Sequence, residues 1–586
     1  MKGLTPDLWN SLQEKVTYPV RQCRFFFLFA WLMSCTVCIV ANINDVESNF
    51  FLTALLSIFD LYLLCILSCL LKKIKLGWVV PLLVGLILFL ELFIIIFFKT
   101  MLTHRTFELA METNTRETSE FLSVFLLQGK ILIPITLFAG MLLLTYLVLR
   151  YMSILRSQRK IAMLVLFVLV IWSGARQINY YNKISHFYHL NYIFEFHDWE
   201  NRYYLATPFG RLAYGIAYTR VLFGKEIEHL ERTVAKTQID SCSFKCPLII
   251  MVIGESYCKH HSQLYNPHSL PTTPRLMNKA LQGNLYPYTD VVAPFNRTVE
   301  TFRYMLSTWD DLSQRPWADH TLLTAAFKKA GYDVYFFTNQ FVPSLDDSYD
   351  LYGGRIFNYG KLSEMQFTGR NTQTHQYDEG LLAEIPSLEI LSQRPTLLIL
   401  HLLGQHTDYE ERYPDYFKVF KTADVKSKFT DEARRTIIAD YENATVYNDF
   451  VMDSLFNMFK DEDAIAVYFS DHGEDVFEWR DIHMRTDEEN VPQQVAHYQY
   501  EVPFMFYMTD RFMERHSDIA EKVKSYVGRP FILTDLPNLM FHLGGIKMQD
   551  YHEERDLLSE KYDIHRKRII RMSIDYDSLM CNFKIN

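Results

Sequence analysis

A helical membrane part of five spans, followed by an α/β domain with a mostly parallel central sheet, is the fold class this 586-residue sequence predicts. Three observations carry it. Long apolar runs are confined to roughly the first 175 residues, each near the ~20 residues needed to cross hydrocarbon. Lys and Arg are alternately dense and sparse on successive connections, the signature of a chain threaded through a bilayer. After Cys246, short continuous apolar runs with polar tails alternate with helical stretches, as in strands covered on both faces.

The apolar runs are residues 25–41, 52–71, 78–98, 131–149 and 161–174, and they mark 1–175 as a five-helix transmembrane domain. The first is too long for a removable signal peptide and has no small-residue cleavage site, so it reads as an anchor. Asp60 and Glu91 fall inside spans, where a carboxylate marks either function or a polar contact between helices. Lys2, Lys15, Arg21 and Arg24 precede the first span. Lys72, Lys73 and Lys75 follow the second, and Arg150, Arg156, Arg159 and Lys160 the fourth. The first-to-second connection has no Lys or Arg; Lys99, Arg105 and Arg116 between the third and fourth are diluted by Glu108, Glu112, Glu117 and Glu120. The N-terminus is therefore expected in the cytoplasm, and everything beyond residue 175 outside it.

A net charge of -9 averages these two unlike parts, and the absence of a Lys/Arg-rich block excludes a nucleic-acid partner. Of nine cysteines, Cys23, Cys35, Cys38, Cys65 and Cys69 lie in or beside the first two spans as small apolar fillers. Cys242, Cys246, Cys258 and Cys581 lie outside, where disulfides persist, and Cys242 with Cys246 is a candidate pair. Residues 176–245 are crowded with Tyr, Phe, Trp, His and Arg, and are expected as bridging helices at the membrane surface. An ordinary helical linker with aromatic packing is the plainer alternative.

Residues 246–586 form the expected soluble domain. Its strand candidates are PLIIMVIGES, YDVYFFTN, TLLILHLLGQH, AIAVYFSDHGE and EVPFMFYMTD. Ligands of such sheets bind past the carboxyl ends of the strands, so the polar tails are where chemistry is expected. Glu255 ends one run, and Asp471 and His472 another, with Glu474 close behind. Two carboxylates and an imidazole suit zinc, which takes mixed oxygen and nitrogen ligands and prefers four. Singly, such residues are helix caps or structural pairs. A fourth ligand that is also a nucleophile is offered by Thr298, after a turn-like Pro-Phe-Asn-Arg and at the start of a helix through Met305. A plain N-cap is the competing assignment for that threonine.

The stretches IGES at Glu255, LPTTPRL around Thr272 and Thr273, NRTVETF at Thr298, HLLGQH with the later ERYP, YNDFVMDSLF and FSDHGED resemble the phosphoethanolamine transferases of the alkaline phosphatase and sulfatase superfamily. The resemblance implies a sulfatase-like α/β domain in the periplasm, anchored in a bacterial inner membrane. It implies zinc on Glu255, Thr298, Asp471 and His472, with the phosphoethanolamine intermediate on Thr298. It places His401 and His406 in an H-x-x-x-x-H stretch, the second near the substrate phosphate, and makes His483 and His497 candidates for a later family histidine. In the membrane half, METNTRETSEF is similar to the family's headgroup-holding segment, with Thr113 and Glu117 at its polar positions and Leu109 where Asn is common.

The reaction this resemblance implies is transfer of phosphoethanolamine from phosphatidylethanolamine to lipid A, lipopolysaccharide core or a glucan, with release of diacylglycerol. Other members flank the nucleophile with cysteines; Pro294 and Tyr304 stand in those places here, and Thr-Val-Glu-Thr-Phe is closer to members that modify core sugars or glucans. The rival readings are a phosphoglycerol transferase of the lipoteichoic-acid-synthase type and a non-catalytic envelope scaffold.

Overall fold

Apolar helices come first because residues 6–187 offer hydrocarbon-length runs with few charges. The computed structural model describes residues 6–583 apart from 45, 47, 103–105, 107–128, 153–158, 188–206, 311–314, 316, 341–356, 358–359 and 487–489. The chain divides into two compact units, Met1–Lys225 and Glu226–Asn586.

The first unit holds helices α1 (Pro6–Gln22), α2 (Arg24–Ile43), α3 (Phe50–Lys72), α4 (Val79–Phe98), α5 (Leu132–Met152) and α6 (Arg159–Phe187), and the start of α7 (Pro208–Lys236). Among the described residues, Arg24–Ile43, Phe50–Lys72, Val79–Phe98 and Gly129–Tyr151 are long and apolar enough to cross a membrane. The fifth expected span lies in α6, where the apolar stretch Met163–Ile178 is shorter. Asn49 begins α3 by accepting the Leu52 amide, and Lys99 ends α4 in the left-handed conformation, φ 51°. Met33, Leu61, Cys65, Leu88 and Leu92 form the centre of this unit.

The two carboxylates within the spans both make interhelical contacts. Asp60 Oδ2 accepts from the Thr207 hydroxyl at 2.7 Å and the Gln177 amide at 3.1 Å, and Arg211 pairs with wholly buried Glu91. Buried charge in an apolar helix packet is retained only when partnered, and these partners join α3 to α6 and α4 to α7.

The second unit is built on seven strands: β1 (Leu248–Gly254), β2 (Leu285–Tyr288), β3 (Asp333–Thr338), β4 (Gly369–Arg370), β5 (Thr396–His401), β6 (Ala464–Ser470) and β7 (Phe504–Met508). Their order across the sheet is β2-β7-β6-β1-β5-β3-β4. β1 runs parallel to both β5 and β6, with Ile253 level with His401 and Phe469. Every residue of β1, β5 and β6 is buried, because helices cover both faces. Alternate side chains feed two cores: Ile249, Met251, Ile399 and Val467 on one face, and Ile250, Val252, Leu400 and Tyr468 on the other.

All five sequence-predicted runs are strands of this sheet. EVPFMFYMTD differs in direction: β7 is antiparallel to β6, so its polar tail leaves at the opposite end from Asp471. There Thr509 caps the next helix by accepting the Phe512 amide. A separate pair of short parallel strands, Val291–Val292 against Phe531–Ile532, holds the segment leading to Thr298.

The Cys242–Cys246 pair is not formed, and all nine cysteines are free. Cys242 sits in a two-residue strand against Ile546 with its thiol turned to the Gly544 carbonyl, while Cys246 is buried in the core.

Candidate active site and metal centre

The parallel register brings the ends of β1, β5 and β6 side by side, and the polar tails meet there. Beyond Gly254 the backbone turns sharply through Ser256 at φ 55°, a conformation a non-glycine residue adopts only when its surroundings hold it. Three hydrogen bonds hold it: Asp471 amide to Gly254 carbonyl at 3.1 Å, Tyr257 amide to Ser470 hydroxyl at 3.0 Å, and Ser256 amide to Asp471 Oδ1 at 3.3 Å. The tails of β1 and β6 therefore fix each other.

Glu255, Asp471 and His472 are wholly buried and each turns one donor atom to a common point, all within 4.8 Å of one another. His472 Nδ1 lies 2.8 Å from the Gly473 carbonyl, which requires a proton on that nitrogen and leaves the Nε2 lone pair facing the cluster. Nε2 is 3.3 Å from Glu255 Oε1 and 3.3 Å from Asp471 Oδ2. Thr298 completes the set from helix α8 (Thr298–Met305): its hydroxyl donates to Glu255 Oε2 at 2.9 Å and lies 3.4 Å from His472 Nε2. The helix N-cap is Arg297, so Thr298 is the first helical residue and its hydroxyl is not spent on capping.

These separations fit a tetrahedral zinc ion, whose ligands at about 2.0–2.2 Å stand roughly 3.3 Å apart. Among the described residues no hydrogen bond satisfies the buried Asp471 Oδ2, as expected of an atom whose partner is a cation. The electrostatics agree. Burial pushes the Asp471 carboxyl well above its usual range and the Glu255 charge adds to that; in Glu255 burial is outweighed by the neighbouring His472, His406 and Arg485, which hold it well below, while burial and Arg485 lower the His472 pKa. Two carboxylates sharing one dry site with a neutral imidazole call for a cation. The donor set fits the implied metal.

Around these donors lie residues that sequence reasoning did not single out. Gln340 Nε2 donates to Glu255 Oε2 and to the Leu402 carbonyl, each at 3.0 Å. Arg485 Nη1 contacts His472 Nε2 and stands 3.4 Å from Glu255 Oε1. Asp378 accepts the amides of Leu403 and Gly404 at 2.8 and 2.9 Å, fastening the tail of β5. Gly404, at φ 53°, brings its backbone so close that a Cβ would stand 2.7 Å from the Glu255 carbonyl oxygen. No local pattern marks these positions, since each acts through a segment remote in sequence.

The remaining candidates divide. His406 lies in the same tail of β5, its amide donating to the Leu403 carbonyl at 3.2 Å. His401 ends β5 wholly buried between Phe302 and Phe336, Nδ1 3.0 Å from the Thr338 hydroxyl, and burial takes its pKa down to about 4. That is a core position, set back from the donor atoms. His483 packs on Tyr409 and Phe477, again with burial lowering its pKa to about 4; Arg485, two residues on, makes the contact to the donors instead. His497 belongs to another cluster, its ring tilted against that of His260 and its Nδ1 2.8 Å from Glu501 Oε1. Thr113 and Glu117 lie outside the described residues.

Comparison with known proteins places these features. The sulfatase family matches residues 247–543. The phosphoethanolamine transferase EptA of Helicobacter pylori is 29% identical over 321 residues, 54% of this chain and 57% of that protein. EptC of Escherichia coli K12, also named a phosphoethanolamine transferase, is 26% identical over 351 residues, 56% of this chain and 57% of its own. The chain thus spans somewhat over half the length of these curated relatives. The crystal structure of the C-terminal periplasmic domain of EptC from Escherichia coli is 26% identical, with a TM-score of 0.50 over 58% of this chain and 95% of that one. The same domain in complex with Zn is 25% identical at the same TM-score and coverage. The integral membrane EptA of Neisseria meningitidis, 18% identical, shares the fold over 91% of this chain and 97% of its own, with a TM-score of 0.55.

Proposed function

The chain belongs to the sulfatase family of the alkaline phosphatase superfamily, among the phosphoethanolamine transferases, and from that premise we propose that it moves phosphoethanolamine from phosphatidylethanolamine to a lipid A, lipopolysaccharide core or glucan acceptor. The observation that carries this reading is the convergence of Glu255, Asp471 and His472 on the hydroxyl of Thr298. Residues 1–175 anchor the protein in a bacterial inner membrane, 176–245 bridge, and 246–586 act in the periplasm.

Glu255, Thr298, Asp471 and His472 would hold zinc, the metal named in the complex of the EptC domain from Escherichia coli. When bound, such an ion supplies a Lewis acid that favours the ionised hydroxyl and polarises a phosphoryl oxygen. The chain's residues do the rest. Glu255 Oε2 accepts the Thr298 hydrogen bond and aims Oγ1 away from the α8 axis into the cluster. Oγ1 attacks phosphorus; the Oγ1–P bond forms, the bond from phosphorus to the glycerol oxygen breaks, and diacylglycerol leaves with a proton. An acceptor hydroxyl then attacks the phosphothreonine, giving its proton to His406; the acceptor O–P bond forms, the Oγ1–P bond breaks, and the proton passes from His406 to Oγ1, restoring the threonine hydroxyl. Thr113 and Glu117 are assigned to the ethanolamine headgroup, where a carboxylate matches an ammonium.

Mass spectrometry of protein quenched in a mixture of phosphatidylethanolamine and phosphatidylglycerol tests the reading. A phosphoethanolamine-sized addition on Thr298 supports it; a phosphoglycerol-sized addition selects the lipoteichoic-acid-synthase type of reaction, and an unmodified threonine under turnover sinks covalent transfer through this residue.

A further inference from the structure

We propose that Arg485 is the group that grips the phosphoryl oxygens of the substrate, a role that rests on the reading just given. The guanidinium borders the donor cluster: Nη1 contacts His472 Nε2 and stands 3.4 Å from Glu255 Oε1. It is steadied from behind. Nε lies 3.7 Å from Glu474 Oε2, and the other oxygen of that wholly buried carboxylate accepts from the Tyr409 hydroxyl at 3.1 Å. The Arg485 side chain keeps 20% exposure while Glu255 and His472 keep none, so it is open to an arriving molecule where those two donors are not.

Charge counting calls for such a group. Glu255 and Asp471 together neutralise one divalent cation, and His472 is uncharged. A phosphodiester approaching Thr298 therefore brings negative charge that the four donors leave unmatched, and the attacking oxygen adds more. A guanidinium at the rim matches it. Its parallel N–H groups suit the two free oxygens of a phosphodiester, a geometry that a lysine ammonium does not reproduce. A bound ion would take the His472 Nε2 lone pair that Nη1 contacts in this structure, and the displaced guanidinium, still tied to Glu474 through Nε, would have N–H groups free for oxygens beside the ion. Arg485 thereby favours a phosphoryl centre with two unsubstituted oxygens over a neutral ester.

The test uses the full-length, zinc-loaded protein in detergent, with inorganic phosphate as the probe. Wild type, Arg485→Lys and Arg485→Met are titrated with phosphate by calorimetry, and zinc content is measured on the same samples. Phosphate affinity is expected to fall about tenfold or more in Arg485→Met and less in Arg485→Lys, with the zinc content of all three equal. Equal phosphate affinity in the three proteins overturns the proposal. So does loss of zinc from both variants, which makes the arginine a support of the metal site. Phosphate binding that depends on Arg485, in a protein that transfers nothing from phosphatidylethanolamine, upholds the grip and rejects the donor instead.

Discussion

Thr298 Oγ1 and Glu255 Oε2 are joined by a hydrogen bond of 2.9 Å, so the first residue of α8 is tied to the end of β1 through a buried carboxylate. Thr298→Ala removes the attacking atom and leaves both elements in place. Transfer is expected to fall by a factor of about a thousand or more, with the unfolding midpoint within a few degrees of wild type. Thr298→Ser, which keeps the hydroxyl, is expected to retain a measurable fraction. Lipid-to-acceptor transfer assays on both variants decide this.

Removing the cation acts on the same point by another route. Chelation is expected to abolish transfer and lower the melting temperature, because a ligand that binds only the folded state stabilises it by mass action. Added zinc restores both. Glu255→Gln or Asp471→Asn takes out one charged donor, and elemental analysis is expected to show at least a tenfold loss of zinc affinity.

Gly404 has no room for a side chain. At φ 53° a Cβ meets the Glu255 carbonyl oxygen at 2.7 Å and its amide at 2.9 Å, both backbone atoms that cannot swing aside. Gly404→Ala is expected to cost about 2 kcal/mol of stability or more and to displace Glu255 from the cluster. Denaturant unfolding reads the first effect and bound zinc the second.

A pH dependence arises from His261, whose Nδ1 lies 2.8 Å from Glu442 and whose Nε2 lies 2.5 Å from Glu478. Burial works to lower its pKa, yet the two carboxylates outweigh burial and push it up to about 10. A folded-state pKa above the unfolded value near 6.5 contributes stability that is complete below about pH 6.5 and fades as pH rises through about 10. His261→Gln is therefore expected to lose about 3–5 kcal/mol at pH 6 and to show a flatter decline in stability between pH 6.5 and 10 than wild type. Equal slopes in the two proteins count against the ion pair.

The sequence makes some of this legible and hides the rest for physical reasons. Glu255, Asp471 and His472 stand directly after continuous apolar runs, and a parallel sheet presents such positions at one edge whatever else the chain does. EVPFMFYMTD has the same local pattern, but strand direction depends on the connection, so its antiparallel placement is not readable from the run itself. Arg485 and Gln340 reach the site from loops, and nothing near either residue in the sequence tells which charge or amide turns inward. The same holds for His401, His483 and His497: residue type suggests phosphate contacts, whereas packing against Phe336, Phe477 and His260 decides where each ring lies.

The central place of β1 has a consequence for the order in which the protein comes into being. A ribosome releases residue 255 long before residues 396–401 and 464–472, yet β1 can be flanked only once β5 and β6 have emerged. The strand Val291–Val292 must wait longer still, for Phe531–Ile532 near the end of the chain, before the segment carrying Thr298 is anchored. A nascent chain thus brings Asp471 and His472 beside Glu255 once β6 has emerged, and fixes the segment carrying Thr298 only when the strand at Phe531–Ile532 has followed.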